Sequence, residues 1–144
     1  MSGNAMIGKG ATIGWRAAGT ADAYVNIGEV ADFEVPAIEA QMEDVTDHDS
    51  ANDAHEYTPT TIEPGVLSFE IFYRPTLATH KNASGGLLDS IINKRKKDFK
   101  VTYKDASIVT FTGYLQKFGP ISVPVKGIVK APVEVKVTGL PTHP

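Results

Sequence analysis

Apolar and polar residues alternate over several short stretches of this chain, and no other sequence feature constrains the fold as strongly. In Val66–Tyr73 (VLSFEIFY) the apolar residues at 67, 69, 71 and 73 share one face, while Ser68 and Glu70 lie on the other. Successive side chains of a strand point to opposite faces, so this period of two predicts a strand with one buried face. The same alternation recurs in Phe99–Tyr103 and Ser107–Lys117, which we expect to pair as a hairpin.

Further strands are predicted from runs rich in β-branched and aromatic residues. These runs are Ala11–Ala17, Tyr24–Phe33, Gln41–Thr46, Val123–Val129 and Val133–Thr138. One helix is predicted, at about residues 85–97. Its apolar residues at 87, 88, 91 and 92 have helical spacing, Asn82 or Ser84 offers an N-cap, and four basic residues crowd its last turn, where they complement the helix dipole.

Many short strands and one helix predict a mainly β fold, an antiparallel β-sandwich or barrel with one flanking helix. The 144 residues suit one domain with its own core, so we expect residues 1–144 to form a single domain. Residues 1–10 are expected to be a flexible N-terminal arm. Residues 47–61 lack apolar periodicity and are predicted to be a long exposed loop.

The composition excludes several classes of protein. Cysteine is absent, which excludes disulfide frameworks, thiolate catalysis and sulfur-ligated zinc. No apolar run approaches the roughly 18 residues that a membrane span needs, so we expect no membrane anchoring. The first residues lack the layout of a signal peptide, which predicts a protein made in a reducing cytoplasm.

The small net charge of −3 hides a strong segregation of charge along the chain. Residues 17–73 contain 13 acidic residues and no Lys or Arg, whereas the rest of the chain holds all 14 basic residues and only four acidic ones. Such a split could serve nucleic-acid binding. It also suits a subunit whose acidic surface meets the basic surface of an identical neighbour, and the near-neutral total favours this second interpretation.

The densest acidic stretch, EDVTDHDSANDAHE at residues 43–56, matches neither a calcium loop nor a helical zinc site. A calcium loop beginning at Asp47 would place Ala51 and Asn52 where an oxygen ligand and a glycine are required. His48 and His55 lie seven residues apart, which is not the spacing of a helical zinc pair. An irregular calcium or magnesium site stays open as an alternative, but a solvated acidic loop is favoured. We predict no catalytic residues, no metal and no cofactor.

The order of several motifs resembles the tail tube, or major tail, proteins of long-tailed, siphovirus-like bacteriophages. The motifs are IGEVADFEVP, MEDVTDHDS, PGVLSFEIFYRP, LLDSI, DFKVTYKDASIVTFTGYLQKFGP and APVEVKVTGLP, from about Ala11 to Pro141. One departure is Asp105-Ala106 in place of the more usual Asp-Gly turn. The resemblance implies a β-sandwich with a flanking helix that assembles into hexameric rings, which stack into a tube for genome delivery.

The resemblance also implies that the loop after the DVT element reaches an adjacent ring. The corresponding residues here are Asp47, His48, Asp49, Asp53, His55, Glu56 and Tyr57. From the charge pattern we expect the complementary basic surface to include Lys94, Arg95, Lys96 and Lys97. Implied partners are the chain itself and the tape measure, tail terminator and tail tip proteins, with double-stranded DNA passing the lumen. The implied location is the virion tail, with assembly in the host cytoplasm.

Two other functions are kept as alternatives to the tail tube of a long-tailed phage. One is the inner tube of a contractile tail or related injection system, which shares the same geometric role. The other is a monomeric β-sandwich binding module, which would need exposed aromatic residues in a groove. Here the aromatic residues alternate into strand faces, which disfavours a binding module and leaves a non-enzymatic structural protein as the leading hypothesis.

Overall fold

The computed structural model of the chain describes residue 6 and residues 8–47, 54–82 and 86–144. It contains nine strands and one helix in these residues. The strands are β1 (Thr12–Ala17), β2 (Val25–Asn26), β3 (Val30–Glu34), β4 (Ile38–Asp44), β5 (Tyr57–Pro64), β6 (Val66–Phe72), β7 (Lys96–Thr102), β8 (Ile108–Phe118) and β9 (Lys130–Thr142). The helix, α1, spans Leu87–Ile92, and no described helix is long and apolar enough to cross a membrane.

Seven strands form one antiparallel sheet in the order β2-β1-β7-β8-β9-β6-β3, and β4 pairs only with β5. The two outermost strands, β2 and β3, are consecutive in the chain and are linked by residues 27–29 alone. A linker of this length spans at most about 14 Å, so the two edges of the sheet must come close together and the sheet must curl. The predicted mainly β, antiparallel barrel-like fold with one flanking helix is thereby confirmed, as a curled half-barrel.

The core lies inside this curl, on the face that the alternating sequence predicts. In the main sheet, β6 to β9 bury every second residue over most of their length, as in β6, where Leu67, Phe69 and Ile71 are buried and their neighbours are half-exposed. The rings of Phe99 and Phe111 face each other across β7 and β8 with centroids 5.5 Å apart. The helix α1 packs against β8 and places a fully buried leucine at its first residue over the core.

The predicted helix of residues 85–97 is wrong at its C-terminal end. The helix ends at Ile92, Lys94 adopts a left-handed conformation with φ of 52°, and β7 already begins at Lys96. The Asp89 carboxylate accepts hydrogen bonds from Asn93 Nδ2 (2.7 Å) and Arg95 Nε (2.9 Å), which stabilises this early turn out of the helix. The four basic residues therefore belong to a turn and a strand rather than to one helical turn.

Two strand predictions also need correction. The predicted strand Tyr24–Phe33 is split into β2 and β3, because Glu29 adopts a positive φ of 60° and turns the chain between them. The predicted strand Val123–Val129 is instead part of a loop, residues 119–129, in which only Ser122 makes a bridge, to Lys130. Its β-branched residues favour a strand, but a strand also needs a neighbour to pair with, and Pro124 cannot donate a backbone hydrogen bond.

The two hairpin strands Lys96–Thr102 and Ile108–Phe118 confirm the predicted hairpin. Its turn holds Ala106 at φ of 72°, a conformation that costs a residue with a Cβ atom more than it costs glycine.

Of the predicted N-terminal arm, residues 1–5 and 7 lie outside the described residues, and residues 8–10 are exposed.

Candidate subunit interface

A two-stranded ribbon, separate from the main sheet, carries part of the predicted site. In this ribbon β4 pairs with β5 from Ile38 opposite Pro64 to Asp44 opposite Tyr57. We call residues 38–47 and 54–64 the arm. Every residue of β4, and all of β5 except Pro64, is exposed. The predicted loop 47–61 is therefore wrong for residues 57–61, which form an exposed strand instead.

Several large apolar side chains of the arm face solvent. These are Ile38, Met42, Val45, Tyr57 and Ile62, with Tyr57 at 60% of its full exposure. An isolated pair of strands is at best marginally stable in water, and exposed apolar side chains that cluster are typical of interaction sites. The arm thus has the character of a surface that another molecule covers.

Hydrogen bonds close the arm just before its tip. Thr46 N donates to Asp44 Oδ1 at 2.9 Å, and Glu56 N donates to the Thr46 hydroxyl at 2.7 Å. His55 Nδ1 lies 3.3 Å from Asp44 Oδ2, and both side chains are largely exposed. The hydrogen bonds from Thr46 lower the pKa of Asp44 below its ordinary value, so this carboxylate stays ionised.

The described residues account for only part of the predicted docking set. Asp47, His55, Glu56 and Tyr57 lie at the tip end of the arm, whereas His48, Asp49 and Asp53 fall outside the described residues. Among the residues that the structure describes, no group of three His, Asp or Glu side chains could hold a metal ion.

Charge on the arm has one sign. Its described acidic residues are Glu39, Glu43, Asp44, Asp47, Glu56 and Glu63, and the sequence places no Lys or Arg between residues 38 and 64. At the base of the arm, Glu63 lies 3.9 Å from Lys136 Nζ on β9, which ties the arm to the main sheet. Away from its base, the arm presents an acidic surface.

The arm and most of the basic residues lie at opposite ends of the strands. Because neighbouring strands are antiparallel throughout, β1, β6 and β8 run in one direction and β2, β3, β7 and β9 in the other. The arm follows β3, so it begins at one end of the strands, which we call the arm edge. The connections after β1, β6 and β8 leave from the other, which we call the far edge.

Three of the four predicted basic residues lie exposed at the far edge. Lys94 and Arg95 are in the connection between α1 and β7, and Lys96 is the first residue of β7. Lys97 does not join them, since it retains only 9% exposure and its Nζ lies 5.0 Å from the centre of the Trp15 ring. Burial and the nearby charge of Arg95 lower the pKa of Lys97.

The far edge also carries an apolar surface that the sequence did not predict. In the loop of residues 119–129, the side chains of Ile121, Val123, Val125 and Ile128 are exposed. In the sequence these residues form a β-branched run, which is typical of a buried strand. In the structure the run has no neighbouring strand to pair with.

The chain is similar to known proteins in both sequence and fold. The sequence model of the lambda phage tail tube protein family matches residues 9–143, and no curated protein matches the chain in sequence. The fold is similar to the tail of the empty GTA particle refined with C6 symmetry, with a TM-score of 0.75 and 15% identity over 97% of this chain and 99% of that one.

Two further solved structures share the fold. The SPP1 tail tube gives a TM-score of 0.67 at 12% identity, covering 97% of this chain and 80% of that one. The baseplate of the anti-feeding prophage gives 0.61 at 10% identity, covering 96% and 95%. At these identities the structural similarities show the fold, whereas the family model spans almost the whole sequence. The chain therefore belongs to the lambda phage tail tube protein family.

Proposed function

We propose that this chain is the tail tube subunit of a long-tailed, siphovirus-like virion. In this role, copies associate into hexameric rings, and the rings stack into a tube through which double-stranded DNA passes. Family membership over residues 9–143 supports the proposal, as does a fold shared with a tail assembly of C6 symmetry.

The observation that carries the proposal is the polarity of the subunit. An acidic arm leaves one edge of the sheet, and exposed basic residues and an apolar loop lie at the other. Two different surfaces that complement each other give head-to-tail contacts, which build rings when they close and filaments when they do not. A protein that acts as a monomer has no need of such an arrangement.

Within this function we assign the arm to contacts with an adjacent ring. The assigned residues are Asp47, His55, Glu56 and Tyr57, together with His48, Asp49 and Asp53 beyond the described residues. Lys94, Arg95 and Lys96 are proposed to contribute positive charge to the surface that receives the arm. Lys97 is left out, because its side chain packs on Trp15.

The remaining roles follow from a tube that conducts DNA. We expect the lumen to be neutral to acidic on balance, since each phosphate bound by a basic side chain would add affinity and slow the passage of DNA. The tape measure, tail terminator and tail tip proteins are proposed as further partners. The proposed location is the virion tail, with assembly in the host cytoplasm, and the role is structural rather than enzymatic.

An inner tube of a contractile system remains the second candidate function. The fold is also similar to the sheath-tube complex of an extracellular contractile injection system, with a TM-score of 0.61 at 9% identity. The family model that matches residues 9–143 is that of a phage tail tube protein, so the phage tail is favoured over the injection system.

Electron microscopy of the purified, concentrated protein in low salt tests the proposal. We expect rings of six copies and stacks of such rings. If the protein stays monomeric at high concentration in low salt, alone and beside candidate partner proteins, the proposed function is wrong.

A further inference from the structure

The loop of residues 119–129 at the far edge combines a held backbone with exposed apolar side chains. Gly119 N donates to the Pro132 carbonyl at 2.8 Å, and Ser122 exchanges two backbone hydrogen bonds with Lys130, of 2.8 and 3.2 Å. Near its other end, the Val129 carbonyl accepts a bond from Tyr73 N at 2.9 Å. The loop is thus fixed at both ends to β6 and β9.

Between these fixed points the apolar side chains face solvent. Val123 keeps 74% of its full exposure and Val125 is fully exposed, and Ile121 and Ile128 are exposed beside them. An apolar cluster of this kind, presented by an anchored loop, is typical of a surface that a partner covers. We name these four residues, together with Lys126, the acceptor loop.

We propose that the acceptor loop binds the arm of a second copy of this chain, and that this contact joins stacked copies. The inference rests on the proposed function, because it names the surface that receives the arm. It goes further by placing the centre of that contact on an apolar loop rather than on the basic residues between α1 and β7.

Chemical complementarity selects the arm as the occupant. The arm exposes Met42, Tyr57 and Ile62, which can cover the isoleucine and valine side chains of the loop. The arm is acidic without a basic residue, while the sequence from 118 to 133 contains lysines and no acidic residue. Lys117 precedes this stretch, and Lys130 within it lies 4.0 Å from Glu70 of the same chain. Apolar contact would supply affinity and the opposite charges would set the orientation.

In a single copy, the base of the arm and the acceptor loop lie at opposite ends of β6. The strand β6 begins two residues after the arm ends and runs to Phe72, whose partner Lys130 directly follows the loop of residues 119–129. Its seven residues separate the base of the arm from the loop by about 20 Å. A copy displaced along the strand direction brings its arm edge to the far edge of the first copy, and repetition of this contact builds a stack.

Cysteine cross-linking tests this contact directly, because the chain has no cysteine of its own. The test variant carries Met42→Cys and Val125→Cys in the full chain, and the control carries Met42→Cys and Ile108→Cys. Ile108 is exposed at the start of β8, on the same edge as the arm. Under mild oxidation of assembled tubes, we expect a ladder of covalent oligomers for the first variant, with at least tenfold less product for the second.

A second variant tests the same contact without cross-linking. Val123→Asp with Val125→Asp changes two exposed side chains, so the melting temperature should stay close to that of the parent protein. Assembly should require about tenfold or more protein, since acidic side chains would replace the apolar contact and repel the acidic arm. Ile108→Asp, the matched control, should assemble at the concentration of the parent.

The outcomes separate the inference from the function on which it rests. If tubes form but the cross-linked ladder is absent, or if the double aspartate variant assembles as readily as the parent, the acceptor loop is wrong and the tail tube function stands. If the parent protein forms neither rings nor tubes, both the function and the inference are overturned.

Discussion

His80 Nε2 lies 2.7 Å from the carbonyl oxygen of Gly28, although 52 positions separate the two residues in the chain. On its other side, His80 Nδ1 accepts a hydrogen bond from Arg74 N at 3.1 Å. The imidazole is therefore neutral with its proton on Nε2, and its side chain is fully buried. It joins the turn between β2 and β3, where the two edges of the curled sheet approach, to the connection that follows β6.

Replacing His80 by alanine should destabilise the fold by about 2–4 kcal/mol. The change leaves a cavity and removes the partners of two partly buried backbone groups, and each of these effects is costly. Denaturant unfolding followed by circular dichroism measures the loss. His143→Ala, at an exposed position near the C-terminus, is the control and should leave the free energy of unfolding unchanged. An equal stability of His80→Ala and the parent would refute the structural role.

His80 should also make stability depend on pH. Burial lowers its pKa below the ordinary value of about 6.5, and the charge of Arg74 acts in the same direction, while the Gly28 hydrogen bond and Glu29 oppose them. The unfolded chain therefore binds a proton at His80 more readily than the folded chain. Stability is retained above pH 6.5 and should fall as the pH drops below it.

The measurement is the free energy of unfolding between pH 8 and pH 5, for the parent and for His80→Gln. The glutamine variant should be less stable at pH 8 but should lose less stability on acidification, because it lacks the titrating group. The difference between the two curves isolates His80 from the carboxylates. A constant difference between them over this range would contradict the assignment.

The strands that the sequence predicts well are those in which burial alternates. In β6 and β8 every second side chain enters the core, so the pattern of residues reports the structure directly. In β5 the chain is exposed on both faces, and Tyr57–Pro64 shows no alternation that could reveal a strand. Its conformation depends on pairing with β4, which is a contact of the folded chain and leaves no local signal in the sequence.

The two surfaces of the proposed interface differ in how far the sequence reveals them. The acidic arm is visible in the sequence because its charge lies in one continuous stretch. The acceptor loop is not visible in the sequence, because valines such as Val123 and Val125 are typical of a core strand. Only the structure shows that they are exposed and lack a partner strand. The exposed position predicted for Lys97 is wrong for a related reason. The register of β7 turns Lys97 towards Trp15, and pairing with β1 and β8 sets that register.

Ala106→Gly should stabilise the protein by about 0.5–1 kcal/mol. Ala106 adopts φ of 72° in the turn between β7 and β8, where a Cβ atom is strained and glycine is not. Thermal unfolding measures the gain. Ala17→Gly, at an exposed position in β1, is the matched control and should lose a few tenths to about 1 kcal/mol, because glycine there only adds freedom to the unfolded chain.

Removing the tip of the arm should abolish assembly while the domain still folds. The variant replaces residues 45–56 by Asn-Gly, which joins Asp44 to its partner Tyr57 through a two-residue turn of the type that hairpins favour. The removed residues that the structure describes are exposed, so no core packing is lost. The melting temperature should stay within a few degrees of the parent, and microscopy should show no stacked rings.

The control for the tip variant places the same dipeptide elsewhere on the arm edge. Asp105-Ala106 is replaced by Asn-Gly in the turn between β7 and β8, and this variant should assemble. Normal tubes formed by the tip variant would show that the end of the arm has no part in stacking.

Charge at the far edge should strengthen assembly, and salt should weaken it. Lys94→Glu with Lys96→Glu reverses two exposed charges in the region that we propose to face the acidic arm of the next copy. Ion pairs at an exposed interface are screened over about 8–10 Å at physiological ionic strength. We therefore expect the parent to need more protein for assembly as salt rises, and the double variant to need more protein in low salt, with a weaker dependence on salt.

Lys97→Met supplies the control for this charge experiment, because it removes a neighbouring positive charge whose side chain packs on Trp15 rather than facing solvent. Burial already lowers the pKa of Lys97, and methionine fills a similar volume, so the fold should tolerate the change. Light scattering against salt concentration should give the same curve for Lys97→Met as for the parent. Lys97→Met changes the charge by one unit, whereas the exposed pair changes it by four. If Lys97→Met weakens assembly in that proportion, the effect comes from the total charge of the subunit, and the assignment of Lys94 and Lys96 to the interface fails.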